Sequence, residues 1–283
     1  MGRGRAWMLL IPAALCAAPP PPAGDQPDNL WLRESSWGDL HLNAGAMVLS
    51  LPVYPGSDQI RSVPFPIFNG DYKQRLVFGA SRFGVGGGAG WNIVRSGEFT
   101  WSVGTDITAP RRESYARALA GMGDRPYGIF LASGVTWQKG PLESVVAIRH
   151  SFRDGAGSGA VVRSTLYLPL GHRWLLEARL MASAYDHPQM KYEYGVDSDQ
   201  AARRQALIDA GDTRLDPGDG RAFDPSGGWA LIQSSLAAGY AVDAHWRLGI
   251  TLLHQDVQGV ARRSPLVRQP SSWGTVIGFS YQL

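Results

Sequence analysis

Cysteine is almost missing from this chain of 283 residues: Cys16 stands alone, inside the first apolar run. A cut anywhere after it leaves a mature chain with no disulfide, no Cys-ligated metal and no thiol nucleophile. Charge is sparse too, with 18% Asp, Glu, Lys and Arg against about 25% in ordinary soluble proteins. The net charge of +3 and a pI near 9.1 are too mild to point to nucleic acid, and no basic stripe carries interleaved aromatics. After the first forty residues no apolar stretch approaches the roughly 18 to 20 residues of a membrane-crossing helix. No charge run or Pro/Gly/Ser linker interrupts that part either, which favours one domain.

What is abundant is glycine, at 35, with 10 Trp and 10 Tyr. Small residues and strand-preferring aromatics replace the Leu, Glu and Lys that usually build helices, so the balance leans to an all-β protein. The start, "MGRGRAWMLLIPAALCAAPPPPAGDQPDN", has Arg3 and Arg5, an apolar run from Ala6 to Ala18 broken by Pro12, and then small residues. That is the layout of a secretory signal peptide, assigned to residues 1–23 without a fixed cleavage site. Bulky Leu15 argues against lipid attachment at Cys16. Residues 24–39 then form a segment ahead of the first strand, with Leu30, Trp31, Leu32 and Trp37 among polar neighbours.

Period-two alternation recurs through the rest of the chain. In "HWRLGITLLHQ", Trp246, Leu248, Ile250, Leu252 and His254 fall on one side and Arg247, Gly249 and Thr251 on the other. The glycine-rich "RFGVGGGAGWNIV" (82–94) imitates a phosphate loop, but no helical period follows Gly90 as a dinucleotide site requires. It reads instead as a strand whose glycines leave room inside a barrel for a side chain or an inserted loop. About twelve strands emerge, near 40–53, 60–68, 73–81, 83–94, 98–108, 126–138, 141–152, 160–169, 173–187, 228–241, 244–257 and 273–283, each close to the nine to eleven residues or slightly more of a tilted membrane strand. Tight turns (Asn69-Gly70-Asp71, Arg95-Ser96-Gly97, Lys139-Gly140, Gly171-His172, Val242-Asp243) alternate with connections that include the long 109–125, 188–227 and 258–272. Short turns at one end and long loops at the other predict an antiparallel transmembrane β-barrel at residues 40–283, with periplasmic turns and extracellular loops. A soluble sandwich explains alternation, but not apolar faces flanked by Trp and Tyr opposite faces carrying charge. Arg75, Asp106, Glu143, Arg149, Glu177, Arg179 and Arg247 are therefore expected in the lumen.

Chemistry-bearing residues are few. His150 and Ser151 are neighbours on a strand, so they point to opposite faces and cannot pair as base and nucleophile. His187, expected at a strand end beside Asp186, has no serine marked as activated. Asp209, Asp212, Asp216, Asp219 and Asp224 lack the spacing of a calcium loop, and Arg214 and Arg221 offset them. No catalytic, cofactor or metal residue is assigned. Ser198 to Ala210 reads as a short helix, started by Asp197 or Ser198 and stopped by Gly211, that caps the barrel mouth. Arginines gather in the long loops at Arg111, Arg112, Arg117 and Arg125, at Arg203 and Arg204, and at Arg262, Arg263 and Arg268. Arg111, Arg112, Arg262 and Arg263 are the candidate contacts for lipopolysaccharide phosphates, whose oxygens match a guanidinium fork.

Three segments in order, "RRESYARALAGMGDRPYG" (111–128), "YEYGVDSDQAARR" (192–204) and "ARRSPLVRQPSSWGTVIGFSYQL" (261–283), resemble characteristic stretches of the MltA-interacting protein / OmpV family, and "PVYPGSD" (52–58) with "VPFPIFNG" resembles its first loop and second strand. The resemblance spans essentially the mature chain, departing at Leu283, where such barrels favour Phe. It implies a non-enzymatic outer-membrane scaffold bringing a lytic murein transglycosylase together with a peptidoglycan synthase. A narrow channel, or a surface adhesin or antigen, is the alternative. The partners expected are outer-membrane lipid and lipopolysaccharide, those two cell-wall enzymes, and no nucleic acid. Leu30, Trp31, Leu32 and Trp37 are the candidate docking residues, because exposed aromatic anchors dominate binding energy and short turns offer little surface.

Overall fold

The computed structural model describes residues 40–80, 83, 87–153 and 155–283. Residues 1–39, and with them the signal peptide, the segment 24–39 and Leu30, Trp31, Leu32 and Trp37, lie outside the described residues. Twelve antiparallel strands close into a barrel: β1 (Leu40–Pro52), β2 (Ile60–Tyr72), β3 (Leu76–Ala80), β4 (Gly87–Ser96), β5 (Phe99–Thr108), β6 (Gly128–Lys139), β7 (Leu142–Ser151), β8 (Ser158–Leu170), β9 (Trp174–Tyr185), β10 (Gly228–Ala241), β11 (Trp246–Val257) and β12 (Ser271–Gln282). Each strand pairs with its sequence neighbours, and β1 pairs with both β2 and β12, with Val48 opposite Ile277 in the closing seam. Closure joins the first strand to the last, which limits the unpaired sheet edge that a bilayer would leave without water.

The alternation sorts the side chains as expected. Along β11, Trp246, Leu248, Ile250 and Leu252 face outward and exposed, while Arg247, Gly249 and Thr251 turn inward and are buried. Aromatics mark both borders of the outer belt. Phe99, Trp101, Trp174 and Trp246 stand near the turns, and Trp229, Trp273 and Phe152 near the loops. Trp246 to His254 is about 27 Å of strand at ~3.4 Å per residue, or about 20 Å of height at a tilt of about 40°. That matches an apolar membrane band.

The five turns hold two to four residues each, and the connections at the other end are the long ones. Two expectations need correction here. The turn expected at Asn69-Gly70-Asp71 lies inside β2, and the chain reverses at Lys73, Gln74 and Arg75 instead, where Lys73 and Gln74 adopt φ of 54° and 53° and the Gln74 amide donates to Asp71 Oδ1 at 2.9 Å. Gly70 is there for space: a Cβ would lie 2.2 Å from the His41 carbonyl oxygen on β1. The strand expected to run to His187 stops at Tyr185, because the Asp186 side chain accepts the Gln189 amide and starts a helix, α1 (His187–Tyr194).

The glycine-rich stretch also resolves. Gly87, Gly88 and Gly90 belong to β4, and a Cβ on Gly88 would sit 2.0 Å from the Thr105 carbonyl oxygen of β5. A Cβ on Gly90 would meet the Phe83 ring at 3.4 Å. Phe83 is buried against Ala132, Val145 and Ala147, so bare glycine backbone lets an aromatic ring occupy the lumen.

Candidate functional site

Inward side chains crowd the lumen. A ring of about eight strands is what side chains alone readily fill, so twelve strands need long ones. One sector, from β12, β1 and β2, supplies Met47, Leu49, Leu51, Phe65, Ile67 and Val276 as an apolar cluster. The opposite sector supplies ion pairs: Glu143 with Arg163 at 2.8 Å, Glu177 with Arg179 at 3.0 Å, and Asp106 with Arg149 at 3.8 Å. Arg179 Nε also donates to Thr165 Oγ1 at 3.3 Å. Leu49 and Val276, register partners in the closing seam, and Asp106 and Thr165 across the ring are each 0% exposed.

Six of the seven charges expected in the lumen thus occupy inward positions: Asp106, Glu143, Arg149, Glu177, Arg179 and Arg247. Arg247 closes the turn end, its guanidinium donating to the carbonyls of Asp243 at 2.7 Å and Ala244 at 3.2 Å. Arg75 is the correction: it sits exposed in the Lys73–Arg75 turn, displaced by the extra length of β2. Arg163 was missed, although its inward alternation with Val161 and Thr165 on β8 carried the signal.

At the loop end the connections fold into a cap with its own core. Tyr54, Ala116, Leu119, Met122, Val196, Ala201 and Leu266 cluster there, drawn from four separate loops. The expected helix is α2 (Ser198–Asp209), and Asp197 caps it in a reciprocal box with Gln200 at 2.7 and 3.0 Å. One charged side chain knits the cap. Arg204 is fully buried and donates to the carbonyls of Asp219 at 2.7 Å, Ala118 at 2.7 Å and Ala120 at 2.9 Å. The Tyr54 hydroxyl donates to the Leu266 carbonyl at 2.7 Å, and burial pushes its pKa up to about 12.

Between cap and barrel lies a cavity of about 160 Å³. Its apolar walls include Leu51, Pro52, Val53, Pro110 and Leu231, and its polar lining includes Arg111, Arg125 and Arg149 with Tyr54, Tyr115, Tyr185, Tyr192 and Tyr194. Glu193 is the one carboxylate in this lining. Arg111 and Arg125 meet through a backbone bridge, their amides and carbonyls bonding at 2.9 and 2.7 Å, which sets the two guanidinium stems side by side. The Arg125 guanidinium lies 4.6 Å from the Tyr192 ring centre and that of Arg111 5.8 Å from Tyr54. Burial holds Arg111 below its ordinary value, and burial together with Arg111 brings Arg125 down to about 9.

The remaining candidates disperse. Ser151 is buried inward and His150 faces out, as alternation requires; the imidazole meets Ser158 Oγ across the strand pair at 2.7 Å. His187 opens α1, bonded to the Pro225 carbonyl at 2.9 Å and 3.6 Å from Asp224. The aspartates each have a partner nearby: Asp209 with Gln205, Asp212 with Arg214, Asp216 and Asp219 with Arg268, and Asp224 with Lys191. Among the described residues, no three His, Asp or Glu converge as a metal site. Of the arginines expected to meet lipopolysaccharide, Arg112, Arg262 and Arg263 are exposed, with Arg262 3.5 Å from Asp256. Arg111 is turned away: its guanidinium donates to the Glu193 carbonyl at 2.8 Å and lines the cavity.

A closed twelve-stranded ring with an apolar outer belt, aromatic borders, short turns and long loops is an outer-membrane β-barrel. The chain belongs to the MltA-interacting protein MipA family, whose model matches residues 44–283. None of the curated proteins matches it. Solved structures similar to it include an outer membrane channel from Pseudomonas putida F1 (9% identity, 88% of this chain and 100% of that one, TM-score 0.40). Two others are a loop-deleted OmpT of Vibrio cholerae (8%, 87% and 98%, 0.35) and OprD from Pseudomonas aeruginosa (10%, 88% and 66%, 0.33).

Proposed function

We propose that this barrel is a non-enzymatic scaffold of the outer membrane, holding a peptidoglycan-remodelling enzyme of the lytic transglycosylase kind and, through it, a peptidoglycan synthase. The observation that supports this most is the crowded lumen. A barrel packed with ion pairs and apolar side chains is ill suited to passing solutes, which leaves its surfaces for work. The family's name supplies the class of partner. Against catalysis stand the divided His150 and Ser151 and the committed imidazole of His187. The signal peptide and the outer-membrane address belong to the same reading.

The five turns present little surface, less than a stable protein interface buries. Docking is therefore assigned to residues 24–39, with Leu30, Trp31, Leu32 and Trp37 as anchors. Exposed Arg112, Arg262 and Arg263 are assigned to lipopolysaccharide phosphates at the opposite end. The test is affinity capture from detergent-solubilised envelope. Wild-type protein should retain a murein transglycosylase, and Trp31→Ala with Leu32→Ala should lose it while heat-modifiable gel mobility shows an assembled barrel. Failure of the wild type to retain any cell-wall enzyme would remove the scaffold reading.

A further inference from the structure

The cavity under the cap combines features that nothing in a purely structural barrel requires. Among the described residues, Arg111 Nη2 and Arg125 Nη1 find no acceptor, and both are cut off from solvent. Withholding a hydrogen-bond partner from a buried charged donor is costly. Their stems are fixed side by side by the backbone bridge, and each guanidinium has a tyrosine ring near it. A guanidinium stacked on a ring keeps its N–H edge for a planar acceptor, and a carboxylate is the matching fork. One lining carboxylate, Glu193, faces these arginines, and Arg149 has Asp106. The balance around the cavity is cationic.

Size and walls restrict the occupant further. About 160 Å³ is close to the volume of a cavity that holds benzene, roughly 150 Å³. Leu51, Val53, Pro110 and Leu231 suit an apolar or aromatic body. Pro126, exposed at the edge of the lining, puts one wall at the outer surface.

We propose that the loop end of the barrel carries a binding site for small aromatic carboxylate anions, the carboxylate held by Arg125 and Arg111 and the ring lying against the apolar wall. The inference does not depend on the scaffold reading and stands or falls separately. It is tested by titration calorimetry on the folded, detergent-purified barrel with three probes: benzoate, its neutral counterpart benzyl alcohol, and inorganic phosphate. Benzoate should saturate a single site, with benzyl alcohol and phosphate at least tenfold weaker. Arg125→Gln should weaken benzoate tenfold or more, and Arg95→Gln, exposed at the turn end of β4, should leave it unchanged. Gel mobility before and after heating establishes that each variant is folded, and Arg111→Gln supplies a second reading if Arg125→Gln does not assemble. No benzoate binding to the folded wild type would overturn the proposal. So would equal binding of benzyl alcohol, which would make the cavity merely apolar, equal binding of phosphate, which would make it a general anion patch of the kind lipopolysaccharide fills, or unchanged affinity in both arginine variants.

Discussion

At the turn end of the barrel, five connections of two to four residues close hairpins and carry no core of their own. At the loop end, the segments 109–127, 186–227 and 258–270 fold over the rim and bury Leu119, Val196 and Leu266 almost completely. The difference teaches where the molecule holds information. The turns are satisfied locally, as at Val242–His245, where Asp243 Oδ1 accepts the amides of His245 and Trp246, both at 2.8 Å. The loops have no such local solution. They are held by side chains that travel far in sequence to reach carbonyls, Arg204 to Ala118 across 86 residues and Tyr54 to Leu266 across 212.

Removing that side chain is the largest perturbation of the contrast. Arg204→Ala would leave the carbonyls of Ala118, Ala120 and Asp219 without their donor, and loss of a buried charged partner is worth about 3 kcal/mol. Amide hydrogen exchange of α2 and of residues 210–227 should rise by that amount, while the strand amides stay protected and the barrel keeps its heat-modifiable mobility. Melting of the strands together with the cap would show that the two ends are one cooperative unit.

A smaller and sharper comparison makes the same change at both ends. Gly121 in the cap has φ of 78°, and a Cβ there would lie 2.7 Å from Arg204 Cγ; Gly140 in a turn has φ of 54° with nothing within 4 Å. Both replacements by alanine incur left-handed strain of about 1–2 kcal/mol, and only Gly121→Ala adds overpacking of about 1–3 kcal/mol. Urea unfolding in micelles should show Gly140→Ala the milder of the two, with exchange in the cap raised by Gly121→Ala alone. Equal effects would mean that the cap tolerates what the packing around Arg204 forbids.

The same contrast explains how much could be read beforehand. Alternation is a local signal, and it placed the strands, the outward Trp and Leu faces and the inward charges of β5, β7, β9 and β11; start and stop residues placed α2, whose cap is Asp197, one of the two starts expected. Asn69-Gly70-Asp71 misled because glycine serves two purposes: the residue types that turn a chain also let two backbones approach, and only the neighbouring β1 reveals which applies. Arg75 was misplaced by the same slip of register. The cap pocket was not legible at all. Arg111 and Arg125 look like solvated loop residues until β1, β7, α1 and β10 close around them, and no short window of sequence contains that arrangement.

The central claim is that the lumen is packed, and single-channel recording of the purified barrel in planar bilayers tests it most directly. Ion pairs from β5, β7, β8 and β9 against an apolar wall from β12, β1 and β2, with Phe83 across the glycines of β4, predict no steps or only brief, small ones at physiological salt. Large, long-lived steps that a permeating solute blocks would contradict the packed lumen and with it the scaffold reading.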